Sequence, residues 1–183
     1  MKTLARLATV AVSGAALVLT AAGTGQAAGG TLIVNTGSNR CLEIDNSSKS
    51  NGALAQLWTC KGQRGAEWKF VEVGGSGDNT LYQVVNVNSG KCLEVADSRT
   101  DDGAPIQQWT CVKGLATQQW TYDGWNLTNK VGRYATVEKG PDGRPGTKNG
   151  ARVVSSHYSQ WVTHDPADAS VLVPYDDQLR QAR

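Results

Sequence analysis

Beyond its first thirty residues the chain carries no sustained helical spacing of apolar side chains, which argues against a helical domain. It also lacks any dense cluster of lysine and arginine. The 18 Lys+Arg include Lys2 and Arg6, and without those two the cations number 16 against 16 Asp+Glu. A nucleic-acid surface needs a basic excess on one face, so nucleic acid is not an expected partner. Neither Gly-x-Ser-x-Gly nor His-Glu-x-x-His occurs, which removes two common signatures of hydrolytic catalysis. Histidine is scarce, with His157 and His164 alone. The place of His157 in the repeat described below is threonine elsewhere (Thr59, Thr110), so these two read as surface residues rather than ligands. No metal site and no cofactor is expected.

What is present begins with MKTLARLATVAVSGAALVLTAAGTGQAAGG. A short basic start, an Ala/Val/Leu run and small residues at Gly25 and Ala27 make the pattern of a secretory signal peptide over 1–27, cut before Ala28. The apolar run is too short and too soon interrupted for a good membrane span. The expected product is a secreted protein with no membrane span in its mature form.

Four cysteines in an exported chain suggest two disulfides. No pair sits two to four residues apart, as zinc ribbons and knuckles require. The pairing comes from internal repetition. CLEIDNSSKSNGALAQLWTC, residues 41–60, and CLEVADSRTDDGAPIQQWTC, residues 92–111, are identical at ten of twenty positions. Cys41 to Cys92, Cys60 to Cys111 and Trp58 to Trp109 are each 51 residues apart. Equivalent loops are therefore closed by Cys41–Cys60 and Cys92–Cys111, each stabilising the fold by about 3 kcal/mol on the loop-entropy model.

A third, worn unit follows. Gly132-Arg133-Tyr134 echoes Gly90-Lys91-Cys92, and Asn149-Gly150-Ala151 echoes Asp102-Gly103-Ala104. Ser156 and Tyr158 then take the places of tryptophan and second cysteine. Within each unit the pattern is β: Leu32-Ile33-Val34 and Tyr82-Gln83-Val84-Val85 are short apolar or β-branched runs, and Trp-Lys-Phe and Trp-Thr-Tyr alternate. Gly, Asn, Asp and Ser punctuate the rest. Propellers repeat at this length but need four or more blades. Three units of about four strands predict one closed all-β domain over 28–175, with lobes near 31–72, 80–122 and 123–175 and a tail over 176–183.

At this point the units resemble the ricin-type lectin repeat. The motifs are Cys92-Leu93-Glu94-Val95, Ile106-Gln107-Gln108-Trp109-Thr110-Cys111 and the closing Gln118-Gln119-Trp120 of the QxW pattern. The likeness spans about 31–165; it is specific in the second unit, good in the first and weak in the third. It implies a β-trefoil and noncatalytic binding of carbohydrate, often containing galactose or xylose. The leader's Ala/Gly/Thr style and the repeat wording look similar to those of secreted bacterial proteins.

Repetition also sorts the residues. Trp68, Trp120 and Trp161 recur in all units and read as core; Gly52, Gly103 and Gly150 recur as turn residues. Trp58 and Trp109 give way to Ser156, and Glu43 and Glu94 to Thr136. These are dispensable to the fold and so are the functional candidates. An indole offers a flat apolar surface to the C–H face of a sugar, and a carboxylate accepts strong hydrogen bonds from neighbouring hydroxyls. The resemblance assigns these roles to Glu43/Trp58 and Glu94/Trp109, with Thr117 and Gln118 as helpers. The first unit has Gly65 and Ala66 at the helper positions, so the second lobe is the expected main site. Glu43 and Glu94 stand in different lobes, too far apart for the paired carboxylates of a glycosidase. The expected protein is a monomer that binds an oligo- or polysaccharide. A protein-binding trefoil, such as a protease inhibitor using the extended GPDGRPGTKNG loop, and a degenerate structural trefoil are the competing readings.

Overall fold

A computed structural model describes residues 29–124 and 126–156, together with the backbone of 161–164. The expected leader and tail, residues 157–160 and the side chains of Trp161 and His164 lie outside the described residues. This includes the readings of His157 and Tyr158.

The described residues form twelve strands, four to a lobe. The first lobe has β1 (Thr31–Asn35), β2 (Arg40–Ile44), β3 (Ala55–Thr59) and β4 (Glu67–Gly74). The second has β5 (Leu81–Asn86), β6 (Cys92–Val95), β7 (Ile106–Trp109) and β8 (Trp120–Tyr122). The third has β9 (Leu127–Asn129), β10 (Arg133–Val137), β11 (Val153–Ser156) and β12 (Trp161–His164). No described helix is long and apolar enough to cross a membrane.

Antiparallel pairing runs in succession through β12, β1, β4, β5, β8 and β9. The hairpins β2–β3, β6–β7 and β10–β11 branch from this succession. Leu42, Ile44 and Leu57 of the first lobe meet Leu93, Val95 and Ile106 of the second in one central cluster. Burial of these branched side chains on facing hairpins is the main stabilising term. Trp68 and Trp120 are fully buried there. Their indole N–H groups donate to the carbonyls of Leu42 at 2.9 Å and Leu93 at 3.0 Å, so neither ring carries an unpaired donor into the core.

The recurring Gly-Ala turns explain how the lobes hold one another. Gly52 N–H donates to Gln108 O, and Gln108 N–H returns to Ala53 O, both at 2.9 Å. Gly103 and Ala104 make the same exchange with Ser155, and Gly150 and Ala151 with Leu57. Each turn therefore stitches one lobe to the next in a cycle. The three glycines have φ of 79°, 79° and 85°, a left-handed conformation that glycine adopts without steric penalty. The result is a β-trefoil with disulfides Cys41–Cys60 and Cys92–Cys111, as the repeat arithmetic required.

Candidate functional site

Strand register places the candidate residues in matching positions. Glu43 of β2 faces Gln56 of β3, and Glu94 of β6 faces Gln107 of β7. Trp58 is opposite Cys41 and Trp109 opposite Cys92. In the third lobe the same stations hold Thr136 opposite Val154 and Ser156 opposite Tyr134. The carboxylates are nearly buried, at 5% and 6% exposure, while the indoles are 39% and 41% exposed. A held acceptor beside an open aromatic platform is thus built twice.

Amide side chains orient each carboxylate. In the second lobe Gln118 Nε2 donates to Glu94 Oε2 at 2.6 Å and to Thr110 O at 2.9 Å, and its Oε1 accepts the Val112 N–H at 2.7 Å. Gln107 Nε2 reaches Glu94 Oε1 at 3.3 Å. The first lobe was expected to lack such a helper, and it does not. Gln63 Nε2 donates to Glu43 Oε2 at 3.2 Å and to Thr59 O at 2.9 Å, and its Oε1 accepts the Lys61 N–H at 3.0 Å. These are the same three bonds, made from a different position in the chain.

The closing loop explains the exchange. A Cβ on Gly65 would lie 2.6 Å from Ser47 Oγ and 2.8 Å from Ser47 Cα, so nothing larger than glycine fits where the second lobe has Thr117. Ala66 packs with Leu32, Val34 and Cys41 and carries no amide to reach the carboxylate. Gln63 occupies the vacated role from three residues after Cys60. A motif anchored on the closing tryptophan cannot find it. Counting from the second cysteine for any amide in the loop would have.

Thr117, the other expected helper, lies in the closing loop. Its side chain is buried and its hydroxyl makes no hydrogen bond, while its carbonyl accepts from Asn129 Nδ2 at 2.9 Å. Asn86 grips Gly65 O in the same way at 2.8 Å. These two buried asparagines fix the closing loops, and hence the amides, to the following lobe.

Burial pushes the Glu43 carboxyl above its ordinary range; the nearby Asp45 adds to this, and the Gln63 hydrogen bond opposes it. Just beyond each carboxylate the chain is strained in the same way: Asn46 and Ser47, and Asp97 and Ser98, have φ between 48° and 55°. Such conformations cost about 1–3 kcal/mol each and cluster at binding sites.

Each site is finished by its neighbour. A Cβ on Gly52 would touch the Trp109 ring at 3.8 Å, and Asn51 Oδ1 accepts the Thr110 N–H at 3.0 Å. Asn149 does the same for Thr59 at 2.9 Å, and Arg40 Nε donates to Thr147 O at 2.7 Å. The extended loop of the third lobe therefore abuts the first-lobe site. In the third lobe itself, loss of indole and acid leaves a recess of about 460 Å³ lined by Thr136, Glu138, Lys139, Ser156 and the Asp102–Gly103 turn. This recess and the two exposed indoles lie in different lobes.

Fold and geometry together define a three-lobed β-trefoil with two repeated carboxylate–amide–indole sites. The chain belongs to the ricin-type β-trefoil lectin family, whose model matches residues 29–159. Among solved structures it is similar to a designed threefold-symmetric protein, ThreeFoil, at 29% identity and a TM-score of 0.65, over 74% of this chain and 97% of that one. An exo-beta-1,3-galactanase from Clostridium thermocellum matches at 24% identity and 0.63, over 75% of this chain but 30% of the enzyme. The C-terminal half of an earthworm R-type lectin in complex with GalNAc matches at 10% identity and 0.58, over 74% and 98%.

Proposed function

We propose that the protein is a secreted, noncatalytic carbohydrate-binding protein with two sites, one in each of its first two lobes. The carrying observation is that the same constellation is held twice although different residues supply the amide. A packing role for the indole would not require Gln63 and Gln118 to converge on equivalent carboxylates. Two carboxylates fixed by amide donors keep acceptor capacity for ligand hydroxyls, and the open indole supplies the stacking face. The motif and the earthworm lectin named in complex with GalNAc favour sugars of the galactose or xylose type. Noncatalysis rests on the separation of Glu43 and Glu94 into different lobes, since a glycosidase places two carboxylates about 5–10 Å apart across one bond.

The test is binding to immobilised glycans and insoluble polysaccharides, with wild type beside Trp58→Ala and Trp109→Ala. Retention on one sugar class, weakened by each substitution, supports the proposal. A folded, disulfide-bonded protein that binds no glycan contradicts it and turns attention to protein partners.

A further inference from the structure

The two sites share a frame but differ at the rim. The residue after each second cysteine donates its backbone N–H to the orienting amide, Lys61 to Gln63 and Val112 to Gln118. These residues hold one station beside equivalent carboxylates. One is an exposed cation and the other an apolar side chain 45% exposed.

The surroundings divide in the same way. In the second lobe Gln83 of β5 donates to Val112 O at 3.1 Å and pairs across the ladder with Val71 of β4, which is 46% exposed. Val73, two residues further along β4, is exposed as well. In the first lobe the station of Gln83 belongs to Leu32: each stands two residues before the valine paired with the first cysteine. Leu32 is buried with Val34, Cys41 and Ala66. The station is thus a buried leucine in the first lobe and a glutamine bonded to Val112 O in the second. Of the large apolar residues exposed among the described residues, Trp109 and Val112 belong to the second lobe, and Val71 is tied to Val112 through Gln83.

We infer that the second lobe takes a sugar carrying an apolar substituent, an aryl or alkyl aglycone laid over Val112 toward Val71, whereas the first lobe takes the sugar alone. This rests on the carbohydrate reading and adds a ligand class to it. The backbone of Val112 is anchored at the site, because its N–H donates to the amide that orients Glu94. A lysine at the same station keeps a hydrated ammonium there and gives an apolar group no dry surface.

The experiment is titration of the full oxidised chain with methyl and phenyl β-galactosides and with the matching xylosides. Trp58→Ala isolates the second site and Trp109→Ala the first. With Trp58→Ala, the phenyl glycoside should bind about tenfold tighter than the methyl glycoside, the gain from burying roughly 60 Å² of apolar surface. Adding Val112→Lys should remove that preference. With Trp109→Ala the two glycosides should bind alike, and Lys61→Val should create a preference. Equal binding of both glycosides by the Trp58→Ala protein overturns the inference, as does a preference that survives Val112→Lys. Failure of both single variants and wild type to bind any glycoside overturns the carbohydrate reading beneath it, a distinct result.

Discussion

Glu43 holds a charge where burial disfavours it, and that tension is the chemical signature of the site. Native Glu43 binds its proton more tightly than the unfolded residue, so its contribution to stability is greatest in acid and is lost as pH rises through the raised value. Binding needs the opposite state, the ionised acceptor. In the Trp109→Ala background, affinity should therefore fall on acidification with a midpoint above the ordinary glutamate value of 4.5, measured by titrating one glycan across pH; a midpoint at or below that value contradicts the account. Glu43→Gln should abolish first-lobe binding while raising unfolding stability by up to about 1 kcal/mol at neutral pH, the size of one relieved unfavourable interaction. Gln63→Ala should weaken first-lobe binding and leave the second lobe untouched, which glycan titration in the two tryptophan backgrounds can separate. At this scale the sequence was partly legible. Glu43, Glu94, Trp58 and Trp109 stood out because the third unit does without them. Gln63 did not, because hydrogen-bonding position follows the path of the loop, and the first loop reaches the carboxylate by a shorter route than the second.

Turns and hairpins were the most legible elements, and for a physical reason. A left-handed turn admits few residues besides glycine, so Gly52, Gly103 and Gly150 survive in every unit where longer motifs have worn away. A Cβ on Gly103 would meet nothing within 4 Å, so Gly103→Ala tests the backbone alone. Its cost should be about 1–2 kcal/mol, read by denaturant unfolding, with sugar binding preserved. Asn51→Ala removes the acceptor for Thr110 N–H. It should cost about 1 kcal/mol, as other lost caps do, and weaken the second site rather than the first, because Asn51 supports the strand end that carries Trp109. What repetition could not reveal is which lobe each turn serves. That cyclic hand-over, first lobe to second and third lobe to first, exists only in the paired structure.

The whole molecule is a cycle of lobes that stabilise one another through their Gly-Ala turns, and two of them expose an indole. Trp120→Ala should destabilise the protein by about 3–5 kcal/mol through the cavity it leaves and the Leu93 carbonyl it strands; thermal or denaturant unfolding measures this. Replacing Cys92 and Cys111 by serine should cost about 2–4 kcal/mol, again by unfolding. The threefold plan was legible from a 51-residue period and two cysteine pairs. Equality of the two sites was not, because it depends on an amide arriving from different places in the chain. That equality is the central claim, and binding stoichiometry tests it most directly. Calorimetric titration of the full oxidised chain with a monovalent glycoside should give two sites per chain in wild type, one in Trp58→Ala, one in Trp109→Ala and none in the double variant. One site in wild type, or binding that persists in the double variant, would contradict it.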